Sequence, residues 1–310
     1  MSNQYYFGIE GGGTHSSLII TDKNGNAMAL SEAGSTNIYS VPKEEAFDNL
    51  SSLVDKALET SGIKKTDLTA GCIGSAGLAR EGDQTLFREF FDIILGPEFP
   101  VKLCSDAEIL LCGGLESLEG YCLIAGTGSI ALGRSRDGKL VRAGGHGYML
   151  GDEGSAAWLG KTAIARTLRS LENRDIATDM LKAILQTTGF RQSGDLVYYI
   201  HYAADKKKVA SLAPIVTEAA SKGDPLAQDI LRTGAVELAL LVKSVMGQSP
   251  WICNKELLLS GGVLTNFQPL ANELKEILKG ELPDLTVSAP KGSALQGASM
   301  LAINLGSNPG

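Results

Sequence analysis

The chain has 310 residues, 44% hydrophobic and 20% charged, the balance of a soluble globular protein large enough to bury a substantial core and to divide into two domains. Its formal net charge of −7 and pI near 5.1 exclude a protein built for non-specific binding of nucleic acid or anionic membranes, because no basic stripe compensates locally. Lys206-Lys207-Lys208 is the only basic run and reads as a solvated face or loop.

In chain order, Tyr5 to Ile9 reads as an apolar strand, Glu10-Gly11-Gly12-Gly13-Thr14 as a turn, Ser16 to Thr21 as a second strand and Ala27 to Ser31 as a third. Lys43 to Ser61 carries a helical apolar stripe. Gly71 to Ile73 is a buried strand ending in Gly74-Ser75-Ala76-Gly77, Gln84 to Leu95 a helix, and Val101 to Cys104 a strand running into Ser105-Asp106. A strand from Tyr121 to Ala125 then meets Gly126-Thr127-Gly128-Ser129 before a second strand resumes at Ile130 and a third runs from Leu140 to Ala143. The first three strands and turns are thus repeated about 115 residues later, the mark of an internal duplication that gives two similar domains facing each other across a cleft. Alternation of strand and helix indicates α/β packing with ligand groups at strand ends.

Glycines and two carboxylates crowd into Gly144-Gly145-His146-Gly147 and Gly151-Asp152-Glu153-Gly154-Ser155, ahead of a helix at Ala156. From Gly160 to Met246 the pattern is mostly helical, with Asp224-Pro225 as a helix start. Glu256 to Ser260 is a strand closing in Gly261-Gly262. Asn266 to Leu278 is a helix, Leu285 to Ser288 a strand, Ser293 to Asn304 a helix, and Gly306 to Gly310 a frayed tail.

Three glycine turns, each directly after a buried strand, suit a nucleotide. Without Cβ atoms their amides can approach phosphate oxygens, and Thr127 and Ser129 add hydroxyl donors. The run Gly154 to Thr162 imitates a P-loop, but five residues separate its glycines where four are needed, and it lies in a helix pattern. No properly spaced G-x-G-x-x-G is present, so a nicotinamide cofactor is not expected. Transfer of a γ-phosphoryl group to an alcohol needs a carboxylate to take the hydroxyl proton and Mg²⁺ to neutralise the phosphates. Asp106, ending a strand and starting a helix, is the candidate base, although either it or Ser105 could simply cap that helix. Glu10 can hold Mg²⁺ through water, and Asp152 and Glu153 suit a metal or a polyhydroxyl substrate.

The five cysteines form no C-x-x-C pair, and four lie in or beside apolar runs, so they read as reduced, buried hydrophobes of a cytoplasmic protein. Neither a signal sequence nor an apolar run approaching ~18 residues is apparent.

The segments FGIEGGGTHSSLIITDKNGN, LCSDAEILLCGG, LIAGTGSIALGRSRDGKL, GGHGYMLGDEGSAAWLG, LLLSGGVLTN and SALQGASMLA resemble, in order, the phosphate-1, connect-1, phosphate-2, sugar-site, adenosine and connect-2 segments of the N-acetylglucosamine kinases. These belong to the BadF/BadG/BcrA/BcrD-type ATPase group of the actin-like, hexokinase and Hsp70 superfamily. The resemblance implies an α/β, two-domain, duplicated actin-like ATPase (ribonuclease H-like) fold with an interdomain cleft. Residues 1–114 plus a C-terminal helix at 293–305 would form one domain, and 115–292, with a helical insert at about 160–250, the other. It implies ATP and Mg²⁺ as cofactors, an N-acetylated amino sugar as substrate, a homodimer, and neither nucleic-acid nor membrane partners.

Carried over by residue, the resemblance makes Asp106 the general base and places Gly12, Gly13, Thr14, Thr127 and Gly128 on the phosphates, with Gly261 and Gly262 on the adenosine side. Asn37, Ser75, Gly145 and Asp152 would contact the sugar, and Glu10 would serve the metal, where much of the superfamily has Asp. Ile130 stands where some relatives place a sugar-facing Asn. The activity expected is phosphorylation of the 6-hydroxyl of N-acetylglucosamine or N-acetylmuramic acid, with glucosamine as the alternative sugar. From other classes, an iron–sulfur activator of a partner enzyme would need a cluster-ligating cysteine beside the second phosphate loop, where only Cys122 lies, within the strand. A nucleotide-gated binding protein would leave the GDEGS segment unexplained.

Overall fold

The computed structural model describes residues 4–307 and divides into two compact units, the first made of residues up to Gly120, Arg134–Gly138 and Ala289 onward, the second of Tyr121–Gly133 and Lys139–Ser288. The first holds β1 (Tyr5–Gly11), β2 (His15–Asp22), β3 (Ala27–Gly34), α1 (Lys43–Ser61), β4 (Leu68–Ser75), α2 (Glu81–Leu95), β5 (Val101–Cys104) and α3 (Asp106–Leu115). The strands are ordered β3-β2-β1-β4-β5, with β1 antiparallel to β2 and parallel to β4, and β4 parallel to β5. Parallel pairing puts the carboxyl ends of β1, β4 and β5 on one sheet edge, where Gly11 pairs with Ser75 and Gly74 with Cys104. Glu10, Ser75 and Asp106 therefore belong to one edge of this unit.

The second unit holds β6 (Gly120–Ala125) apart from its first residue, β7 (Ser129–Arg134) apart from its last, β8 (Leu140–Gly144) and α4 (Ala156–Leu171). The helices α5 (Met180–Thr188), α6 (Asp195–Tyr198), α7 (Lys206–Ala210), α8 (Ala213–Ser221) and α9 (Pro225–Gln248) follow. β9 (Glu256–Ser260), α10 (Gly262–Asn266), α11 (Gln268–Glu281) and β10 (Thr286–Ser288) complete it. Its sheet runs β10-β9-β6-β7-β8, the order of the first sheet strand for strand, so the duplication legible in the sequence is a duplication of topology. The fold is α/β and actin-like.

α12 (Ala294–Ser307) returns to the first unit and packs on β1, β4 and α3. Small residues permit this. A Cβ on Gly297 would stand 1.9 Å from the Ile109 carbonyl oxygen, and one on Gly113 1.8 Å from that of Ser293, so the two helices meet backbone to backbone. Thr21 and Ser299 close the contact with a buried hydroxyl pair at 2.7 Å.

Each unit has its own core. Phe7, Ile9, Leu18, Leu50, Leu53, Ile73, Phe87 and Phe91 are buried in the first, with Phe7 stacked between Phe91 and Phe99. In the second, Leu123, Leu159, Ile184, Leu212, Ile230, Leu238 and Leu257 wrap the sheet and the insert into a single cluster.

Several expectations need correction. β1 runs through Gly11, which leaves Glu10 on the strand and not in the turn. The helix expected from Asn266 to Leu278 starts at Gln268, as α11, because Pro269 can start a helix but not continue one, and a separate short helix, α10, ends at Asn266. The expected tail is helical through Ser307, and residues 308–310 lie outside those described. Gly160, Lys161 and Thr162 of the P-loop lookalike lie inside α4, with no phosphate turn. Lys206-Lys207-Lys208 opens α7, and Lys206 is half-buried in an ion pair. Among the described residues no helix is long and apolar enough to cross a membrane.

Candidate functional site: two glycine-loop edges

In the first unit the turn after β1 is fixed by buried hydroxyls. Gly12 N–H donates to Ser16 Oγ at 3.2 Å, Ser16 Oγ lies 2.9 Å from Thr36 Oγ1, and Ser35 Oγ donates to the Gly12 carbonyl at 3.0 Å. With the Gly12 amide engaged, the exposed part of the turn is Gly13 and Thr14. Beside them, Asn37 Oδ1 accepts from Tyr39 N–H at 2.9 Å and would lie 3.4 Å from a Cβ on Gly77, so Asn37 stands against the end of β4. Ser75 is fully buried there, and its hydroxyl accepts from Gly77 N–H at 3.4 Å. Its visible duty is to cap the short 3₁₀ turn after β4.

At the start of α3 the choice between Ser105 and Asp106 is resolved. Ser105 is the N-cap, accepting from Glu108 N–H at 3.2 Å, and Asp106 is the first helical residue, its Oδ1 accepting the neighbouring Ala107 amide at 3.0 Å. Asp106 is therefore not the residue that caps the helix. Partial desolvation raises its carboxyl above the usual carboxylate value, against the opposing backbone hydrogen bonds, the direction a general base requires. Glu10 offers an exposed carboxylate at the end of β1. Among the described residues no three His, Cys, Asp or Glu side chains gather to hold a metal ion. Mg²⁺ does not need such a cage, since one carboxylate, waters and substrate phosphates suffice, and Glu10 fits that mode.

The sequence did not reveal the support beneath α3. Glu108 is buried and accepts from Arg134 Nε at 2.9 Å and from Lys102 Nζ at 3.2 Å, while Arg134 also donates to the carbonyls of Leu118 and Ser135. Two residues after Asp106, a buried carboxylate is thus clamped between two cations.

In the second unit the loop after β6 is bonded to a helix. The carbonyls of Gly126 and Thr127 accept the Ala156 and Ala157 amides at 2.9 and 3.4 Å, taking up N–H groups that α4 would otherwise leave unpaired. Ser129 Oγ donates to the Glu153 carbonyl at 2.8 Å and is buried, which removes it from the expected phosphate donors. Thr127 stays exposed. Gly261, at φ 100°, would bring a Cβ within 2.4 Å of the Ala125 carbonyl oxygen, so the Gly261-Gly262 turn rests against the end of β6. Gly145, exposed and at φ 70°, lies over Ile130, whose Cδ1 would be 2.9 Å from a Cβ there. Asp152 is buried in the left-handed region, at φ 59°, with Oδ2 accepting from Lys206 Nζ at 2.8 Å. Thr127, Gly128, Gly145, Asp152, Gly261 and Gly262 therefore gather within this unit, as Glu10, Gly12, Gly13, Thr14, Asn37, Ser75 and Asp106 do on the edge of the other. Cys122 is fully buried in β6, pointing to packing and not to a cluster at the loop.

The family model of the BadF/BadG/BcrA/BcrD ATPases matches residues 7–302. The chain is 34% identical over 302 residues to the N-acetylmuramic acid/N-acetylglucosamine kinase of Clostridium acetobutylicum, covering 96% of this chain and 98% of that one. It is 29% identical over 321 residues to the N-acetyl-D-glucosamine kinase of Dictyostelium discoideum, covering 98% and 99%. A solved structure of a proposed N-acetylglucosamine kinase from Chromobacterium violaceum superposes with a TM-score of 0.70 at 26% identity, covering 97% of this chain and 99% of that one. With the motifs on both edges and a match over nearly its full length, the chain belongs to the BadF/BadG/BcrA/BcrD ATPase family.

Proposed function

We propose that the protein is an ATP-dependent kinase that transfers the γ-phosphoryl group to the 6-hydroxyl of an N-acetylated amino sugar, N-acetylglucosamine or N-acetylmuramic acid. The observation that carries this reading is Asp106, freed from capping by Ser105 and raised toward basicity at the carboxyl edge of its sheet. The named activities of the full-length relatives supply the substrate class.

The sugar 6-oxygen attacks the γ-phosphorus, a new O–P bond forms, the bond to the β,γ-bridging oxygen breaks, and ADP leaves. Asp106 accepts the proton of the attacking hydroxyl and returns it to solvent afterwards. Asn37 and the Gly145–Asp152 segment hold the sugar, Gly13 and Thr14 with Thr127 and Gly128 take the phosphates, and Gly261 and Gly262 flank the adenosine. Mg²⁺, held by Glu10 through water, would neutralise phosphate charge.

ADP release measured with Mg-ATP and a panel of N-acetylglucosamine, N-acetylmuramic acid, glucosamine, N-acetylmannosamine and glucose tests the reading. Rapid release with an N-acetylated sugar is expected. A folded, ATP-binding protein that releases ADP with none of them would overturn it.

A further inference from the structure

The helical insert carries a cation back to the second glycine loop. Lys206 is the first residue of α7, and its Nζ donates to Asp152 Oδ2 at 2.8 Å across 54 residues of sequence. A Cβ on Gly128 would stand 2.8 Å from that Nζ and 2.7 Å from Asp152 Oδ2, so ammonium and carboxylate both lie against the backbone of the loop. The placement is built into the packing. Gly160 on α4 lets α7 approach until a Cβ there would be 2.0 Å from the Val209 carbonyl oxygen. Asp205 caps α7 through the Lys208 amide at 2.8 Å, and Tyr199 OH donates to the Lys208 carbonyl at 3.2 Å.

The charges are unequally exposed. The Asp152 side chain is 3% exposed and that of Lys206 38%, and Asp152 is the only acceptor the ammonium has among the described residues. An ammonium has three N–H donors, so two remain for a ligand on the loop. A bare buried carboxylate beside Gly128 would repel a polyphosphate; Lys206 cancels that charge where the phosphates would lie.

We propose that Lys206 is a phosphate-binding residue of the Gly126–Ser129 loop, anchored by Asp152 and donating to the terminal phosphate of ATP. The inference rests on the reading above that this loop holds the nucleotide's phosphates.

Calorimetric titration of the full chain with Mg-ATP and Mg-ADP, without sugar, tests it on wild type, Lys206→Met, Lys206→Arg and the double variant Lys206→Met/Asp152→Asn. Loss of one charged contact to the terminal phosphate weakens ATP binding roughly 10- to 100-fold in Lys206→Met, leaves ADP affinity nearly unchanged, and is largely rescued in Lys206→Arg. The double variant, which has no unpaired buried carboxylate, stays weak toward ATP and keeps the test intact if Lys206→Met alone fails to fold. Wild-type ATP affinity in Lys206→Met, an equal loss for ATP and ADP, or full recovery of ATP binding in the double variant would overturn the proposal. A wild-type protein that binds no nucleotide overturns the kinase reading along with it. One that phosphorylates a sugar while Lys206→Met binds ATP normally overturns the Lys206 proposal alone.

Discussion

The two units share one strand order but finish their glycine turns by different means. After β1 the turn is closed by hydroxyls, Ser16, Ser35 and Thr36, from β2 and the segment beyond β3. After β6 it is closed by a helix, α4, whose first amides are spent on the carbonyls of Gly126 and Thr127. The connections differ as well: between β3 and β4 stands the single long helix α1, between β8 and β9 the six-helix run from α4 to α9. A shared topology thus fixes where ligand groups can lie, at the carboxyl edge of three parallel strands, while the connections decide which groups stand there. The first unit receives a carboxylate of raised pKa from the start of α3. The second receives a buried acid from the start of a long detour and a cation from its middle.

The sharpest way to break that division is Asp106→Asn. If the first unit supplies the base, turnover falls about 10²- to 10⁴-fold while ATP affinity, measured by titration, stays within a factor of two or so of wild type. A comparable fall in nucleotide affinity would show that the carboxylate serves binding instead. Next in size is Glu108→Ala, which strands Arg134 without its buried partner and should cost about 3–5 kcal/mol in urea unfolding. Breaking the pair in the second unit with Asp152→Asn should cost less, because the Lys206 it leaves behind is partly solvated.

Gly297→Ala presses a methyl group into the Ile109 carbonyl and should destabilise the first unit by about 1–3 kcal/mol, with the second unit's amide-exchange protection unchanged. The smallest effects are in pH dependence, and they have opposite signs in the two units. Asp106, raised in the folded state, binds protons more tightly folded than unfolded, so wild type loses stability relative to Asp106→Asn as pH rises from below about 3.8 through the folded value. Asp175, lowered chiefly by its hydrogen bond from Arg166, contributes stability above about 3.8 that disappears as pH falls through its depressed value. Thermal melts of each Asn variant beside wild type from pH 3 to 7 would test both slopes.

Much of this was open to reading before any coordinates. Strands with apolar runs ending in glycine announce themselves, and two copies of one hairpin unit announce a duplicated sheet. α1 and β5 fall at the expected bounds because periodicity and flanking turns agree there. What stayed hidden depends on distance along the chain. Nothing local to Lys206 separates a solvated lysine from one reaching Asp152 54 residues away, and Arg134 gives no hint of Glu108, 26 residues before it. The choice between Ser105 and Asp106 as cap was undecidable for another reason. Both residue types are good caps, and only the backbone angle of Ser105, φ −76° and ψ 156°, assigns the duty.

α12 gives the molecule an order in time. Residues 294–307 cover β1 and β4, strands that leave the ribosome long before α12 does. The apolar face made by Phe7, Ile9 and their neighbours can begin to assemble early, but the side that α12 covers stays open until α12 itself has been made. The second unit, whose strands and helices lie between Tyr121 and Ser288, has all its parts before then. The unit begun first is the last to be finished, and a nascent chain stalled before Ala294 would hold a complete second unit and a first unit still missing one of its walls.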